Sequence, residues 1–376
     1  MMNKVLVVLL ALLSCVSRTV AQEVSVVVNE DKTVSLSYYG KARRVRVQSD
    51  FYYDRDSTRY SDRTHRLKMK RDSDGVFRVT TPPIAPECYT YCFRVNGKRV
   101  PDPLNSDTAW QMLHKWNIVT VGGTPQADLY LKPKRHGRVV SSSWRSPGEG
   151  LSRRVRVYLP AGYEDSATHK QDPVYPVLYL IHGINGYEGS WSERGRAIEI
   201  MENLAAQGRC KPMIIVMPDV NVGVHEDRPS HHTLWNNIIN YPRLCRQHEI
   251  EKGIAELVKM IDSCYHVSGE RYIAGFSDGA RIAANTAILL PGYFSAVGLF
   301  SPVVHKEQAA LGELEEVPAI SIYTGKKDMF YGNAKRFDKR LNKQQTAHRY
   351  VVTTGGHTWR NWRIYLSEFL CSLTTP

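Results

Sequence analysis

The sequence predicts a doubly wound α/β domain with a mostly parallel sheet, preceded by a small β-sandwich. Three observations predict it. The later part of the chain alternates apolar runs with helical stretches, the first third has only short alternating strands, and a glycine-flanked serine follows one apolar run. With 376 residues, 42% hydrophobic and 23% charged, the chain is long enough for one large and one smaller globular domain. This composition disfavours a disordered chain and a membrane bundle.

The first 21 residues have the features of a secretory signal peptide. An apolar run from Val5 to Leu13 follows Lys4 and is too short to span a bilayer comfortably, and "TVA" before Gln22 offers small residues for cleavage. We therefore expect a secreted or periplasmic protein without an integral membrane segment in the mature chain. A lipoprotein anchored through Cys15 in "LLSC" is an alternative, although Leu13 fits poorly at the position that requires a small residue.

Six cysteines remain after the predicted cleavage, an even number in an oxidising compartment. Disulfides are compatible with this number, but their pairing cannot be read from the sequence. Cys88 and Cys92 in "CYTYCFRV" lie on one face of a predicted strand, roughly 13 Å apart, and are too distant to bond to each other. No Cys-x-x-Cys pair or His-rich cluster appears, so we expect no metal site.

The chain is basic, with a formal net charge of +13. Its Lys and Arg residues are interspersed with acids, as in residues 54–74, and do not form the clean basic run with aromatics that is typical of nucleic-acid binding. This pattern predicts a solvated basic surface and no nucleic-acid partner. Such a surface would also hold the protein near anionic polysaccharide or lipid.

Residues 22–132 are expected to form the β-sandwich, because short strands and turn residues alternate there without a long helical period. The expected strands are "EVSVVV", "TVSLSYY", "RRVRVQS", "GVFRVTT", "CYTYCFRV" and "ADLYLK". Through residues 74–105 this part resembles the immunoglobulin-like E-set modules related to family 48 carbohydrate-binding modules. The resemblance implies a module that positions the next domain, with sugar binding as the alternative.

Residues 133–376, after the polar segment "KPKRHG", are expected to form the α/β domain. Near-continuous apolar runs such as "YPVLYLIHG", "CKPMIIVMP" and "FSAVGLFSP" are typical of strands buried on both faces of a parallel sheet. Between them, stretches such as "IEKGIAELVKMIDSCY" place apolar residues at helical spacing. The arrangement favours helices on both faces of the sheet.

The run "YIAGFSDGARIAA" contains a G-x-S-x-G pattern at residues 275–279, with Ser277 at its centre. That pattern is typical of a nucleophile elbow, a strained strand-to-helix turn that exposes a serine hydroxyl. Serine needs a histidine base and an acid that orients it, and in α/β hydrolases the chain order is Ser, Asp or Glu, His. Asp328 and His357 follow the next suitable apolar strands, in that order. We therefore predict the triad Ser277, Asp328 and His357.

An ester hydrolase also needs two amides that hold the oxyanion of the tetrahedral intermediate. One should be the backbone N–H of Asp278, the residue after the nucleophile. The other should come from the loop after an earlier strand, and "YLIHGINGYEGSW" predicts the backbone N–H of Ile184.

Together these motifs resemble the esterase D-like hydrolases of carbohydrate esterase family one, which include feruloyl and acetylxylan esterases. The matching segments are "RRVRVYLPAGYE", "YPVLYLIHGINGYEGSW", "IIVMPD", "GFSDG", "GKKD" and "GGHTWRNWR", in order over about 230 residues. The resemblance implies an α/β hydrolase fold, ester hydrolysis without a cofactor and an acylated polysaccharide or oligosaccharide as substrate. One departure is Asp278, where the family commonly has an uncharged residue. Its carboxylate would oppose the oxyanion unless it turns away or pairs with Arg281.

The segment at residues 221–247 is longer than a typical connection and contains Trp235, a candidate wall of the substrate pocket. An idiosyncratic surface insertion is the alternative. Two other functions stay open at this point, a siderophore esterase of the enterochelin type and a carbohydrate-binding protein whose hydrolase domain is inactive. The oligomeric state is unknown. Because each proposed catalytic group lies beyond residue 180, we expect the second domain alone to act on small esters.

Overall fold

The structure is a computed structural model that describes residues 24–52, 65–111, 114–146, 151–163, 174–221 and 248–373. The predicted signal peptide therefore lies outside the described residues. Within them, no helix is long and apolar enough to cross a membrane.

The first part of the chain contains two antiparallel sheets. Their strands are β1 (Val26–Val28), β2 (Val34–Tyr38), β3 (Val45–Ser49), β4 (His65–Lys68), β5 (Lys70–Arg71), β6 (Phe77–Thr80), β7 (Glu87–Val95), β8 (Lys98–Val100), β9 (Thr108–Gln111) and β10 (His114–Val121). One sheet has the order β1-β2-β6-β5 and the other β4-β3-β7-β10-β9, with β8 paired to β7. Leu36 and Phe77 of the first sheet share a buried core with Val47 and Phe93 of the second. The two sheets therefore enclose a common core.

The segment "ADLYLK" is not a strand, so that part of the prediction is wrong. Helix α1 (Pro125–Asp128) occupies its start. Thr124 caps this helix, its hydroxyl accepting the Ala127 N–H at 3.2 Å, and a proline follows at the first helical position. Leu129 and Tyr130 then pack into a core cluster of the second part of the chain. The cap and the proline outweigh the alternating pattern.

The second part is built on an eight-stranded sheet. Its strands are β11 (Arg138–Ser146), β12 (Leu151–Leu159), β13 (Tyr175–Ile181), β14 (Ile214–Pro218), β15 (Val267–Phe276), β16 (Ala296–Phe300), β17 (Ala319–Gly325) and β18 (His348–Thr353). The helices are α2 (Ala197–Ala206), α3 (Glu249–Cys264), α4 (Asp278–Leu289), α5 (Tyr331–Lys343) and α6 (Trp359–Ser372), with a 3₁₀ helix at Glu307–Glu313. The sheet order is β11-β12-β14-β13-β15-β16-β17-β18.

Most of this sheet is parallel, and helices cover both of its faces. Strands β13 to β18 pair in parallel, whereas β11 and β12 are antiparallel to their neighbours. Residues of α3, α4 and α5 form the core on one face, and residues of α2 and α6 form the core on the other. The carboxyl ends of β15, β17 and β18, which precede the three predicted triad residues, therefore lie at the same edge.

The two parts of the chain meet through buried charged groups. Arg196 pairs with Asp107 at 2.6 Å, and Arg363 pairs with Glu87 at 3.0 Å. Arg363 also donates to the backbone carbonyl of Arg194, which comes from the second part. Removing the first part would take away both carboxylates and expose the apolar residues of the second part that pack against Cys88 and Ile118. The expectation from the sequence that the second domain acts alone, the opposite expectation from this interface and the boundary at residue 132/133 are all predictions.

The described cysteines are all free thiols: Cys88, Cys92, Cys210, Cys264 and Cys371. Cys245 lies outside the described residues. Burial raises the pKa of the Cys92 thiol to about 11 and that of Cys210 to about 12, so both stay protonated at neutral pH.

Candidate active site

Ser277 sits at the turn between β15 and α4 in a strained backbone conformation. Its φ is 57° and its ψ is −123°, a region that costs free energy for any residue with a side chain. Two backbone hydrogen bonds hold the turn, from Ser277 N–H to the Phe300 carbonyl at 2.9 Å and from Val303 N–H to the Ser277 carbonyl at 3.2 Å. The Ser277 hydroxyl does not cap the helix that follows, which leaves its oxygen available for chemistry.

The two glycines of the G-x-S-x-G pattern are required by close backbone approach. A Cβ on Gly275 would lie 2.4 Å from the Gly279 carbonyl oxygen, and one on Gly279 would lie 2.4 Å from the carbonyl oxygen of His182. These contacts press the start of α4 against both β15 and the loop after β13. The elbow predicted from the sequence therefore has its physical basis in the packing.

Asp328 and His357 pair at the ends of neighbouring strands, with Asp328 buried and His357 partly exposed. His357 Nδ1 lies 3.1 Å from both carboxylate oxygens of Asp328. The Phe330 N–H donates to Asp328 Oδ1 at 2.8 Å and fixes the carboxylate. Since a carboxylate can only accept, Nδ1 carries the proton and Nε2 is left as the acceptor. This is the tautomer that a general base requires.

Aromatic rings connect this pair to the turn at Ser277. The Trp362 ring contacts the His357 ring at 4.9 Å and stacks on Phe276, the residue before Ser277, at 4.0 Å. No hydrogen bond joins the Ser277 hydroxyl to His357 in the part of the chain that is described. Such bonds are often long in ligand-free enzymes and tighten when substrate binds.

The loop after β13 carries the predicted oxyanion residue Ile184, whose side chain is 48% exposed. Just before it, the buried His182 ties this loop to the loop after β14. The Val220 N–H donates to His182 Nε2 at 3.0 Å, so the proton is on Nδ1, which donates to the Gly183 carbonyl at 2.8 Å. His182 therefore links the loop after β13 to the loop after β14 through two hydrogen bonds.

Asp278 pairs with Arg281, as the sequence suggested it could. Arg281 Nε donates to Asp278 Oδ1 at 2.8 Å, and its Nη1 donates to Glu251 Oε1 at 3.2 Å. Glu251 also accepts from Asn285 at 2.9 Å. The four side chains are buried, and the Arg281 guanidinium donates hydrogen bonds to both carboxylates. The Asp278 carboxylate is therefore neutralised on the side of α4 that faces α3.

A cavity of about 400 Å³ adjoins the same edge of the sheet. Val304 and Asn333 line it, and the Val304 N–H donates to Asn333 Oδ1 at 2.8 Å. Lys306, Arg336 and Arg340 also line the cavity and make part of its wall positive. None of the predicted triad residues lines it.

Within the described residues, no three His, Cys, Asp or Glu side chains are grouped to hold a metal ion.

The sequence analysis missed His182 and Glu251. Glu251 lies on the same face of α3 as Ile254 and Val258, and a carboxylate on an apolar helical face was a readable signal. His182 directly follows the buried strand β13, which is also a readable position. Trp235, the predicted wall of the substrate pocket, lies outside the described residues.

A family model for esterases, described as "Putative esterase", matches residues 146–373. Among curated proteins, the chain is 27% identical over 310 residues to an endo-1,4-beta-xylanase/feruloyl esterase of Xylanibacter ruminicola. The alignment covers 81% of this chain but only 41% of the relative, so the chain spans about two fifths of that protein's length.

Two solved structures show a similar fold. One is a CE1 ferulic acid esterase of Anaeromyces mucronatus, 20% identical with a TM-score of 0.51, covering 71% of this chain and 97% of that one. The other is the enterobactin esterase of Shigella flexneri, 17% identical with a TM-score of 0.56, covering 91% of this chain and 93% of that one. The second likeness extends over much of the N-terminal part as well.

Proposed function

Because the chain belongs to the Esterase family, we propose that it hydrolyses carboxylic esters through Ser277, His357 and Asp328. The observation that carries this proposal is the hydrogen-bonded Asp328–His357 pair near a strained serine turn, with His357 Nε2 left as acceptor. Groups fixed at the carboxyl ends of parallel strands in one sheet can meet a substrate carbonyl without costly rearrangement.

In the proposed mechanism, the Ser277 oxygen forms a bond to the ester carbonyl carbon while its proton passes to His357 Nε2. Asp328 orients His357 and stabilises the imidazolium. The backbone N–H groups of Asp278 and Ile184 donate to the oxyanion of the tetrahedral intermediate. Collapse breaks the bond to the leaving alcohol, which takes the proton from His357. Water then attacks the acyl-enzyme by the same route, and no cofactor is needed.

For the substrate, we propose feruloyl or acetyl groups on plant cell-wall polysaccharide such as xylan, with feruloyl favoured. The support is the relative described as a xylanase/feruloyl esterase, together with the expected export of the chain. An aromatic acyl group would stack on Trp235 of the segment 221–247. The predicted leader places the protein outside the cell or in the periplasm, and the N-terminal part would be an immunoglobulin-like E-set module that positions the second domain.

A siderophore esterase is the second candidate, because the fold likeness to an enterobactin esterase extends over 91% of this chain. A substrate panel separates the candidates. The purified chain should be assayed on 4-nitrophenyl acetate, methyl ferulate, acetylated xylan and a ferric catecholate ester. We expect turnover of methyl ferulate well above that of the catecholate ester. Cleavage of acetylated xylan without methyl ferulate would assign an acetylxylan esterase, and preference for the catecholate would assign the second candidate.

A further inference from the structure

Four cations stand in one row across the outer face of the six-stranded sheet. Arg46 on β3 is directly opposite Lys68 on β4 and, on its other side, Arg94 on β7. Arg94 is in turn directly opposite Arg99 on β8. Neighbouring strands lie about 4.8 Å apart, so the row spans roughly 14 Å. The neighbouring residues Val45 and Val47 point inward to the core, so the row lies on the opposite, outer face.

The charges of this row disfavour folding. Like charges directly opposite each other in an antiparallel pair are destabilising, and the row contains three such pairs. Within the described residues, none of the ion pairs involves any of the four side chains. An uncompensated row of cations is therefore better explained by a ligand of opposite charge.

The arginines also form a concave site. Arg44, Arg46, Arg66 and Arg94 line a cavity of about 70 Å³ with Gly97. Beside them, the Arg99 guanidinium lies over the Trp116 ring at 4.4 Å, and its Nε and Nη1 are buried without a hydrogen-bond partner. Buried donors without partners are costly, so this guanidinium is set to receive an acceptor. Arginine binds a carboxylate through two parallel hydrogen bonds.

Among the described residues, the second part contacts β7 at the end away from the row. Arg363 binds Glu87 at the opposite end of β7, seven residues or about 23 Å from Arg94. Arg46, Arg66 and Lys68 are exposed.

We propose that this arginine row, defined as Arg46, Arg94, Arg99 and Lys68 with Arg44 and Arg66 beside it, binds a polysaccharide that carries carboxylates, such as one containing uronic acids. A lipid surface is disfavoured because, among the described residues, no large exposed apolar side chain lies on β3, β4, β7 or β8 to enter a membrane. Single-stranded nucleic acid is disfavoured because Trp116 is buried and covered by Arg99, and so offers no free ring for base stacking.

The test uses the full chain and polygalacturonate, a polyanion without esterified acyl groups, with neutral unsubstituted xylan as the comparison glycan. Arg46→Gln/Arg94→Gln removes the two central charges of the row. The matched control is Lys252→Gln/Lys259→Gln, which removes two charges from α3, where the side chains are 54% and 66% exposed. Arg66→Gln, a single change on β4, provides a second test if the double variant folds poorly.

We expect the dissociation constant for polygalacturonate to rise at least about tenfold in the double variant, severalfold in Arg66→Gln, and less than about twofold in the control. Wild-type binding should be lost in about 1 M salt, where the screening length is about 3 Å. The rate on 4-nitrophenyl acetate should not change in these variants. Because polygalacturonate binding needs no ester cleavage, failure of the proposed esterase function leaves this test intact.

Three results would overturn the proposal. Equal weakening in the row and control variants would mean that only net charge matters. Equally strong binding of neutral xylan would remove the role of carboxylates. Tighter binding to phosphatidylglycerol vesicles than to polygalacturonate, lost in the same row variants, would assign the row to a lipid surface.

Discussion

Replacing Arg281 with methionine tests how the chain accommodates an acid beside the predicted nucleophile. Arg281 donates to Asp278 at 2.8 Å and to Glu251 at 3.2 Å, and all three side chains are buried. Methionine fills similar space and leaves two buried carboxylates without a cation. Breaking a buried ion pair on one side typically costs about 3–5 kcal/mol, so we expect the free energy of unfolding to fall by about that amount.

The same change should slow the chemistry. Without Arg281, the charge of the Asp278 carboxylate, close to the predicted oxyanion site, is no longer neutralised. A unit charge roughly 6 Å from the oxyanion, at an effective dielectric constant of about 20, raises the barrier by about 3 kcal/mol. That corresponds to a loss in kcat of roughly a hundredfold. Adding Asp278→Asn to Arg281→Met removes this charge and should recover part of the lost kcat.

The measurements are urea unfolding and kcat on 4-nitrophenyl acetate for both variants. Arg78→Met is the control, because Arg78 makes exposed ion pairs with Asp72 and Asp74 and should change stability by less than about 1 kcal/mol. A loss in Arg281→Met no larger than in this control, with normal kcat, would refute the reasoning. Failure of Asp278→Asn to recover any activity would refute the electrostatic part alone.

Three more changes test other parts of the account. Gly279→Ala places a Cβ 2.4 Å from the His182 carbonyl oxygen. Because this overpacks the turn, we expect the free energy of unfolding to fall by about 1–3 kcal/mol and kcat to fall at least about tenfold. A wild-type kcat would show that the contact relaxes freely. Deleting residues 22–132 exposes the apolar surface of the second part that packs against Cys88, Ala109 and Ile118, so the remainder should be insoluble or inactive on 4-nitrophenyl acetate. A folded, fully active product would contradict this. Trp235→Ala should lower kcat/KM for methyl ferulate roughly two- to twelvefold, because the expected stacking is worth about 0.5–1.5 kcal/mol, and leave kcat/KM for 4-nitrophenyl acetate unchanged. Equal losses on both esters would give Trp235 a structural role only.

The features that could be predicted from the sequence are those that depend on local residue patterns. Buried parallel strands read as apolar runs, and the turn around Ser277 is marked by its own glycines. The pair of Asp328 and His357 could be anticipated because both residues end strands whose carboxyl ends share one edge of the sheet.

What the sequence did not predict depends on contacts between distant segments. "ADLYLK" alternates like a strand, but the cap at Thr124 and burial of Tyr130 in the other part of the chain impose a helix and a turn. The link from Arg363 to Glu87 joins residues 276 positions apart. Such pairs leave no periodic signal, so the interface between the two parts is visible only in the structure.

The most direct test of the proposed triad is the kcat of Ser277→Ala on 4-nitrophenyl acetate, measured on protein whose urea unfolding matches wild type. The hydroxyl makes no structural hydrogen bond in the described residues, so its removal should leave the fold intact. The account predicts a fall of at least about a thousandfold, because serine, histidine and aspartate act as one unit. Retention of more than about a tenth of the wild-type kcat would contradict it and place the nucleophile elsewhere.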